Sequence, residues 1–490
     1  MRRGGLTELE KEANIGIINE TEDKTAEEAA SEETAASAEK PADGAEKKEL
    51  NDEIKEKPKG LFRQLFTFHN ILIFIGWITC ALCGAFPDQN LILSGILLLC
   101  VVLSIRNDSF YAYGALFMYF REFMLLGDST VYRVYSYLLL VKVLLDFKNL
   151  KLRMGAMVSL VVYLIFCFFG IGNLSFRTGM QSALDVVVVY LILAKILADD
   201  DLMRLYIITF LLGGVASGIF GWTTDASVNV DVGLGATTEI TRVYGALYDA
   251  NYAGYYYTLC IVAAMMVKGL KWWMRAAFGV FFLIVLLETG SLSGLLICLV
   301  ALVVVTVIRY RTKAVPGLIL LFVCLGIFGV IAWNVPFIRN IESVSNIITR
   351  ISERMLYLGM GQWDRLTTGR YDLWQTATAY FNQQDAMGKM FGGNVITTVM
   401  TDDSIFHSDF ACHQMYLQSL LCFGIAGTVV IFSSIAAILV YRIVGFFKKG
   451  YSQENSDIKM IQISFMLMAL LFGLSVDFFV DWRFLFFLLI

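Results

Sequence analysis

The chain has 490 residues, 57% of them hydrophobic, and a mean hydropathy of +0.65. That is well above the roughly half-apolar usage of soluble domains, and many runs approach the ~20 apolar residues needed to cross a bilayer, so the sequence reads as a polytopic membrane protein. The net charge of −4 conceals an uneven distribution, because the first 60 residues are acidic on balance. The remainder is slightly basic, which argues against a nucleic-acid partner.

Residues 1–60 are rich in Glu, Ala and Lys and contain few residues worth burying, so they read as a disordered acidic tail. They contain no apolar h-region of a signal peptide. Residues 61–490 form the membrane domain. From Phe68 onward the apolar runs predict spans near 70–86, 90–105, 109–126, 130–146, 153–171, 180–198 and 203–221. Further spans follow near 252–268, 273–289, 292–309, 317–334, 414–442, 458–477 and 482–490. Backbone groups must be satisfied within lipid, so these are helices, about 12–14 of them, in an all-α fold. One interruption is long: 335–413, a large loop with amphipathic helices of its own. All nine cysteines except Cys412 lie in apolar runs, where Cys acts as a small hydrophobe; even the CxxC pair Cys80 and Cys83 sits inside a span.

The basic connectors KNLKLR (148–153), KGLKWWMR (268–275), RYRTK (309–313) and YRIVGFFKK (441–449) fall on one side of this arrangement. The positive-inside rule makes that side cytoplasmic, together with the acidic tail. The loops 222–251 and 335–413 and the turn ETGSLSG (288–294) then lie outside, and a large late loop is where a membrane protein with short connectors elsewhere places its chemistry.

Three outward pieces carry candidate chemistry. In TRVYGALYDANYAGYYY, Arg242 and Gly245 precede a helix opened by Asp249 or Asn251, with Asn251 a natural N-cap. A helix N-terminus beside an arginine can bind phosphate, while an interfacial arginine before an ordinary cap is the plainer alternative. In TGRYDLWQTATAYF, Tyr371, Trp374, Thr378 and Phe381 recur at helical spacing. This predicts a surface-lying amphipathic helix capped by Thr368 or Gly369, with Arg370 at its unfavourable positive end or else simply solvated. In HQMYLQSLLCFGIAG, His413, Tyr416, Leu417, Leu420, Gly424 and Gly427 fall at offsets 0, 3, 4, 7, 11 and 14, one helical face whose glycines admit a close neighbour. A histidine at that mouth is a candidate general base, although lone interfacial histidines are more often structural. His407 lies in an irregular stretch and is the weaker candidate. Asp402, Asp403 and Asp409 are alternative bases.

Together these segments resemble the O-antigen ligase and polymerase superfamily of bacterial surface-glycan proteins. RVYGALYDANYAGYY is similar to the family's R-x-x-G-x-x-x-[DN]-x-N entry to a span. GRYDLW with GKMFGGN (388–394) is similar to its G-R-x-x-x-W and glycine-rich continuation, and HQMYLQSLLCFGIAG to its H-N-x-Y-L-Q … G-I-x-G signature. The resemblance runs from about Met203 to the C-terminus. It departs at Leu292, where many relatives carry arginine, so the TGSLSG turn is given no phosphate role, and at Gln414, where asparagine is usual.

The resemblance implies a helical glycosyltransferase of the cytoplasmic membrane, working on its outer face with a polyprenyl-pyrophosphate-linked glycan as donor. The acceptor would be a glycan or a lipid-linked acceptor, with no cofactor, metal or nucleotide sugar. It places pyrophosphate binding on Arg242 and Arg370 and the catalytic base on His413. The rival class is a transporter or flippase of lipid-linked glycans. It would need mid-membrane ionisable groups, for which Asp185 is a candidate, and an internal repeat, which the halves do not convincingly display.

The orientation is testable. Cysteines introduced at Asp402 and Ser31, in a background lacking Cys412, should differ in labelling by an impermeant thiol reagent on intact cells, with only position 402 reacting. Equal labelling of the two would overturn the orientation.

Overall fold

The computed structural model describes residues 67–146, 161, 176–224, 227–231, 239–247, 249–310, 314–367, 370–392, 412–449, 456–476, 483, 486 and 487, all within the compact unit Leu61–Ile490. The acidic tail, nearly all of the expected span 153–171 and most of 482–490 lie outside the described residues. The fold is all-α, with two small hairpins as its sheet content among the described residues.

In chain order, α1 (Phe68–Ala85) and α2 (Asn90–Ser104) are joined by a single turn at Pro87–Gln89. Next come α3 (Tyr113–Phe120), a tight hairpin of β1 (Leu125–Leu126) and β2 (Ser129–Thr130), and α4 (Val131–Leu145). Then follow α5 (Phe176–Ile196) and α6 (Asp200–Thr223), the latter capped by the Asp199 carboxylate, which accepts the Asp201 and Leu202 N–H groups at 3.0 and 3.1 Å. A second hairpin, β3 (Ser227–Asp231) with β4 (Glu239–Val243), pairs Val228 with Arg242. The apolar helices α7 (Ala250–Met266), α8 (Trp272–Glu288), α9 (Leu292–Tyr310) and α10 (Ala314–Asn334) lead into the long loop. That loop carries α11 (Pro336–Arg339), α12 (Glu342–Gly359), α13 (Trp363–Thr367), α14 (Arg370–Gln383) and α15 (Ala386–Phe391). The chain returns through α16 (Met415–Lys449) and α17 (Ser456–Phe472).

Helices covering Phe68–Ala85, Pro87–Ser104, Asp200–Thr223, Ala314–Asn334 and Met415–Lys448 are long and apolar enough to cross a membrane, with Leu292–Val307 a shorter apolar helix. One expected span takes another form. The run 109–126 is helical only over Asp108–Phe120 and then turns into the β1–β2 hairpin. At 1.5 Å per residue that stretch spans roughly 20 Å, short of a ~30 Å hydrocarbon core. Every residue of α3 is buried, so its apolarity serves the protein interior rather than lipid.

The core centres on α6 and α7. Gly214, Gly218 and Gly221 follow one another at helical spacing on α6, and a Cβ at these positions would come within 3 Å of Cys260 and Phe282, of Phe281, and of Val243 respectively. Small residues thus let α7, α8 and β4 approach α6 closely. Tyr255, Tyr256 and Tyr257 of α7 are wholly buried. Asp185 is held in an ion pair: Arg121 Nη2 lies 2.8 Å from one oxygen and the Tyr132 hydroxyl donates to the other at 2.8 Å. A buried charge held in this way belongs to the architecture of the bundle.

The bundle has two distinct ends. At one, Asp457 of α17 accepts the Lys268 backbone N–H at 2.8 Å and lies 3.5 Å from Arg204 at the start of α6. At the other, the C-terminal end of α6 meets the segment leading into α7: Gly221 lies against Val243 and Gly245. Gly245 has φ +59, and a Cβ there would come within 2.5 Å of the Tyr257 hydroxyl and 2.6 Å of Ser217 Oγ. Left-handed backbone and zero clearance coincide, and the Ser217 hydroxyl accepts the Ala246 N–H at 3.0 Å. Gly245→Ala should therefore destabilise the fold by roughly 1–3 kcal/mol or more, combining strain with overpacking. An unchanged melting temperature of the purified variant in detergent would contradict this packing.

Candidate functional site

The three residues singled out from the sequence come from separate segments, and each feels the charge of Asp249 at the α7 N-terminus. Arg242 sits at the end of β4, three residues before Gly245. Its Nε–H donates to the Thr289 carbonyl at 2.9 Å and its Nη2 to Asn251 Oδ1 at 3.0 Å. The cap of α7 is Asp249 rather than Asn251: Asp249 Oδ1 accepts the Asn251 and Tyr252 N–H groups at 2.7 and 3.0 Å. This frees the Asn251 amide to turn toward the guanidinium.

The TGSLSG turn, which the sequence gives no phosphate role, holds Arg242 in place. Its Thr289 carbonyl is one acceptor, and Ser291 Oγ supports the other by donating to Asn251 Oδ1 at 3.2 Å. Ser291 Oγ also accepts the Gly294 N–H at 3.1 Å, capping α9. The missing arginine at Leu292 therefore leaves the turn with a job done by backbone and hydroxyl groups.

Arg370 is the first residue of α14 and is half-buried. Thr368 and Gly369 lie outside the described residues; the Thr367 hydroxyl accepts the Tyr371 N–H at 2.9 Å. The buried face of α14 also differs from expectation. Leu373, Trp374, Ala377 and Phe381 pack with Cys412, Leu417 and Leu421, while Tyr371 and Thr378 are exposed. The small Ala377 and the apolar Leu373 rotate the stripe away from Tyr371, so α14 seats on the start of α16.

His413 precedes α16, which begins at Met415, so it is not on a helical face. It has φ +50, a left-handed conformation that is unusual for a residue with a side chain. Gly424 is where α16 breaks (φ +65), and there the backbone of Gly392, just past α15, comes so close that a Cβ on Gly424 would lie 2.5 Å from Gly392 N. The close approach expected of the glycine face thus occurs between α15 and α16. His407, Asp402, Asp403 and Asp409 lie outside the described residues.

A third guanidinium joins the site. Arg350 of α12 reaches the same turn, where a Cβ built on Gly290 would lie 3.5 Å from its Nη1 and 3.6 Å from Arg242 Cγ. Its Nη1 is buried without a hydrogen-bond partner among the described residues. Sequence reading missed it because α12 carries Arg350 and Arg354 as ordinary polar-face residues of a strongly amphipathic helix. Arg354 is tied by Nη1 to the carbonyls of Arg365 and Leu366, which fixes α13 to α12.

The electrostatics of the cluster are consistent. Burial lowers the pKa of Arg242, and Arg370 lowers it further against the pull of Asp249. Burial and the charges of Arg242, Arg354 and Arg370 lower that of Arg350, opposed by Glu353. Burial likewise lowers Arg370, Asp249 opposing and Arg354 reinforcing. His413 is pushed down first by burial and then by Arg370, with Asp249 again opposing. One carboxylate is therefore shared by two guanidiniums and an imidazole that repel one another.

Residues 277–432 match the family model described as O-Antigen ligase. This segment, about a third of the chain, is thus similar to the O-antigen ligase family. Comparison with individually curated proteins gives no match. The matched segment runs from within α8 to within α16 and holds Arg350, Arg370, His413 and the TGSLSG turn, and Arg242 reaches into it through Thr289. With its helices long and apolar enough to cross a membrane, the match points to a multi-pass membrane protein.

Proposed function

We propose that this O-antigen ligase domain protein is a membrane glycosyltransferase that transfers or polymerises polyprenyl-pyrophosphate-linked oligosaccharide on the outer face of the cytoplasmic membrane. The observation that carries this reading is the gathering of Arg242, Arg350 and Arg370, partly desolvated and mutually repelling, near a histidine whose burial favours the neutral imidazole. Cations crowded in this way call for a polyanion, and a pyrophosphate supplies several charges and acceptor oxygens to planar guanidinium forks. The α7 N-terminus adds its backbone dipole to the same point.

In the proposed reaction, neutral His413 accepts the proton of an acceptor hydroxyl as that oxygen attacks the anomeric carbon. The bond from that carbon to the pyrophosphate oxygen breaks, and the polyprenyl pyrophosphate leaves with the bonding electrons. The arginines stabilise the charge that develops on it. No metal is required in this scheme, because the guanidiniums take the place of a divalent cation on the diphosphate.

Three outcomes are expected with purified protein, a polyprenyl-pyrophosphate glycan and an acceptor, scored by product size on a gel. His413→Ala should lower turnover by about 10²–10⁴ while donor binding survives. Near-normal turnover of this variant at normal expression would falsify the base assignment. Arg242→Ala, Arg350→Ala and Arg370→Ala should each weaken donor binding by roughly 10–100-fold, with lysine restoring only part, since a charge-assisted hydrogen bond contributes about 1.5–3 kcal/mol.

The pH profile follows from the signs. The base must be neutral, so activity falls as pH drops through the His413 pKa. Burial and Arg370 push that pKa down, so the acid limb of kcat/KM should lie below the ordinary histidine value of about 6.5. Bound pyrophosphate offsets Arg370, so the acid limb of kcat should lie at higher pH than that of kcat/KM. Coincident limbs would argue against a shared site for base and diphosphate.

A further inference from the structure

The left-handed His413 is held by an arrangement of hydrogen bonds that the reaction scheme leaves unused. The Cys412 N–H donates to Gln418 Oε1 at 3.3 Å, and the Cys412 carbonyl accepts the Trp374 indole N–H at 3.0 Å. Both polar groups of the residue before His413 are thereby fixed by side chains. Beyond the histidine, the Cys412 thiol reaches the Gln414 carbonyl at 3.3 Å as well as Gln418 Oε1 at 3.2 Å, and the Met415 N–H donates to the Gly473 carbonyl at 2.8 Å. Gln418 is fully buried, and its Nε2 is directed at Cys422 Sγ at 3.5 Å, so the amide has one orientation.

Trp374 lies one helical turn after Arg370 on α14. Its indole bond therefore ties the helix that carries Arg370 to the peptide that carries His413. The apolar cluster of Ala377, Cys412 and Leu421 brings these two pieces together but leaves them free to slide; a directional hydrogen bond sets the register.

We infer that Trp374 and Gln418 are positioning residues, which clamp Cys412 so that His413 stands at a fixed place against Arg370. The inference rests on the reading of His413 as the base. Neither residue touches substrate in this scheme. Their contribution comes through the placement of the imidazole, and a displacement of about 1 Å in a reacting group can cost on the order of 10²-fold in rate.

Trp374→Phe keeps an aromatic ring in the apolar cluster and removes only the indole donor. It should lower kcat by about 10-fold or more while donor KM changes by less than about twofold. The charged and titratable groups acting on His413 are Arg370 from α14 and Asp249 from the α7 cap, with the Cys412 thiol next in sequence and Tyr416 on α16. Loosened from Arg370, the imidazole should titrate higher, so the acid limb should move to higher pH, which loss of folded protein alone cannot do.

Gln418→Met should behave as Trp374→Phe does, and Gln418→Glu should recover most of the activity, because a buried, protonated carboxyl keeps an acceptor for the Cys412 N–H. In a His413→Ala background, Trp374→Phe should cost nothing further, as for residues acting as one unit. An equal loss in both backgrounds would overturn the positioning role. Wild-type turnover of Trp374→Phe and Gln418→Met beside a collapsed His413→Ala would overturn the clamp and leave the base standing. Near-normal turnover of His413→Ala would overturn both.

Discussion

The Asp249 carboxylate is the point on which the site depends. It caps α7 through two backbone N–H groups and is the negative charge that opposes the depression of Arg242, Arg370 and His413. Like charges ~4 Å apart repel by about 4 kcal/mol where the effective dielectric is ~20, so guanidiniums do not gather in a half-buried place without compensation. Here the compensation is incomplete. Arg242 spends its donors on a carbonyl and an amide, neither of them charged, and Arg350 leaves Nη1 without a partner among the described residues. The surplus positive potential suits a multiply charged anion, and the same potential favours a neutral imidazole.

Such a cluster needs a scaffold that resists its own repulsion. Gly245 seats the β4-to-α7 segment against Ser217 and Tyr257 with no spare volume. The Ser291 hydroxyl serves at once as α9 cap and as donor to Asn251. On the loop side, Arg354 fixes α13 to α12, and the apolar contact of Ala377 with Cys412 and Leu421 fixes α14 to the start of α16. The charged residues thus stand on elements that are each pinned elsewhere, so the cost of bringing them together is met by packing and hydrogen bonds away from the charges.

Two other buried charges are paired with groups of opposite sign. Asp185 is neutralised by Arg121 and Tyr132, and Lys142 is paired with Asp146 at 2.7 Å. In each case the partner of the buried charge is of opposite sign. The site cluster differs in having an excess of one sign, the property expected of an anion-binding place and not of a structural ionic pair.

The sequence by itself determined the helical membrane architecture, because long apolar runs have few other solutions in lipid. It also determined the identity of Arg242, Arg370 and His413 as residues to follow, because their motifs combine order and spacing. It could not determine their surroundings. The run 109–126 is as apolar as a span, yet α3 is buried in protein, and hydropathy reads the same in lipid and in a core. Asp249 and Asn251 are both good caps, and only the presence of Arg242 beside Asn251 decides which one caps. Trp374 and Phe381 were legible on the packed face of α14, but Tyr371 and Thr378 were misplaced, because periodicity fixes a stripe and not the partner that covers it. Arg350 was invisible as a site residue, since its helix looks like any amphipathic surface helix until α12 is laid against the Gly290 turn. His413 was read on a helix, whereas α16 begins two residues later, and the Trp374 and Gln418 bonds fix the Cys412 peptide before a histidine that stands at φ +50. Local periodicity is written along the chain; desolvation, like-charge crowding and a clamp between segments about 40 residues apart exist only once those segments meet.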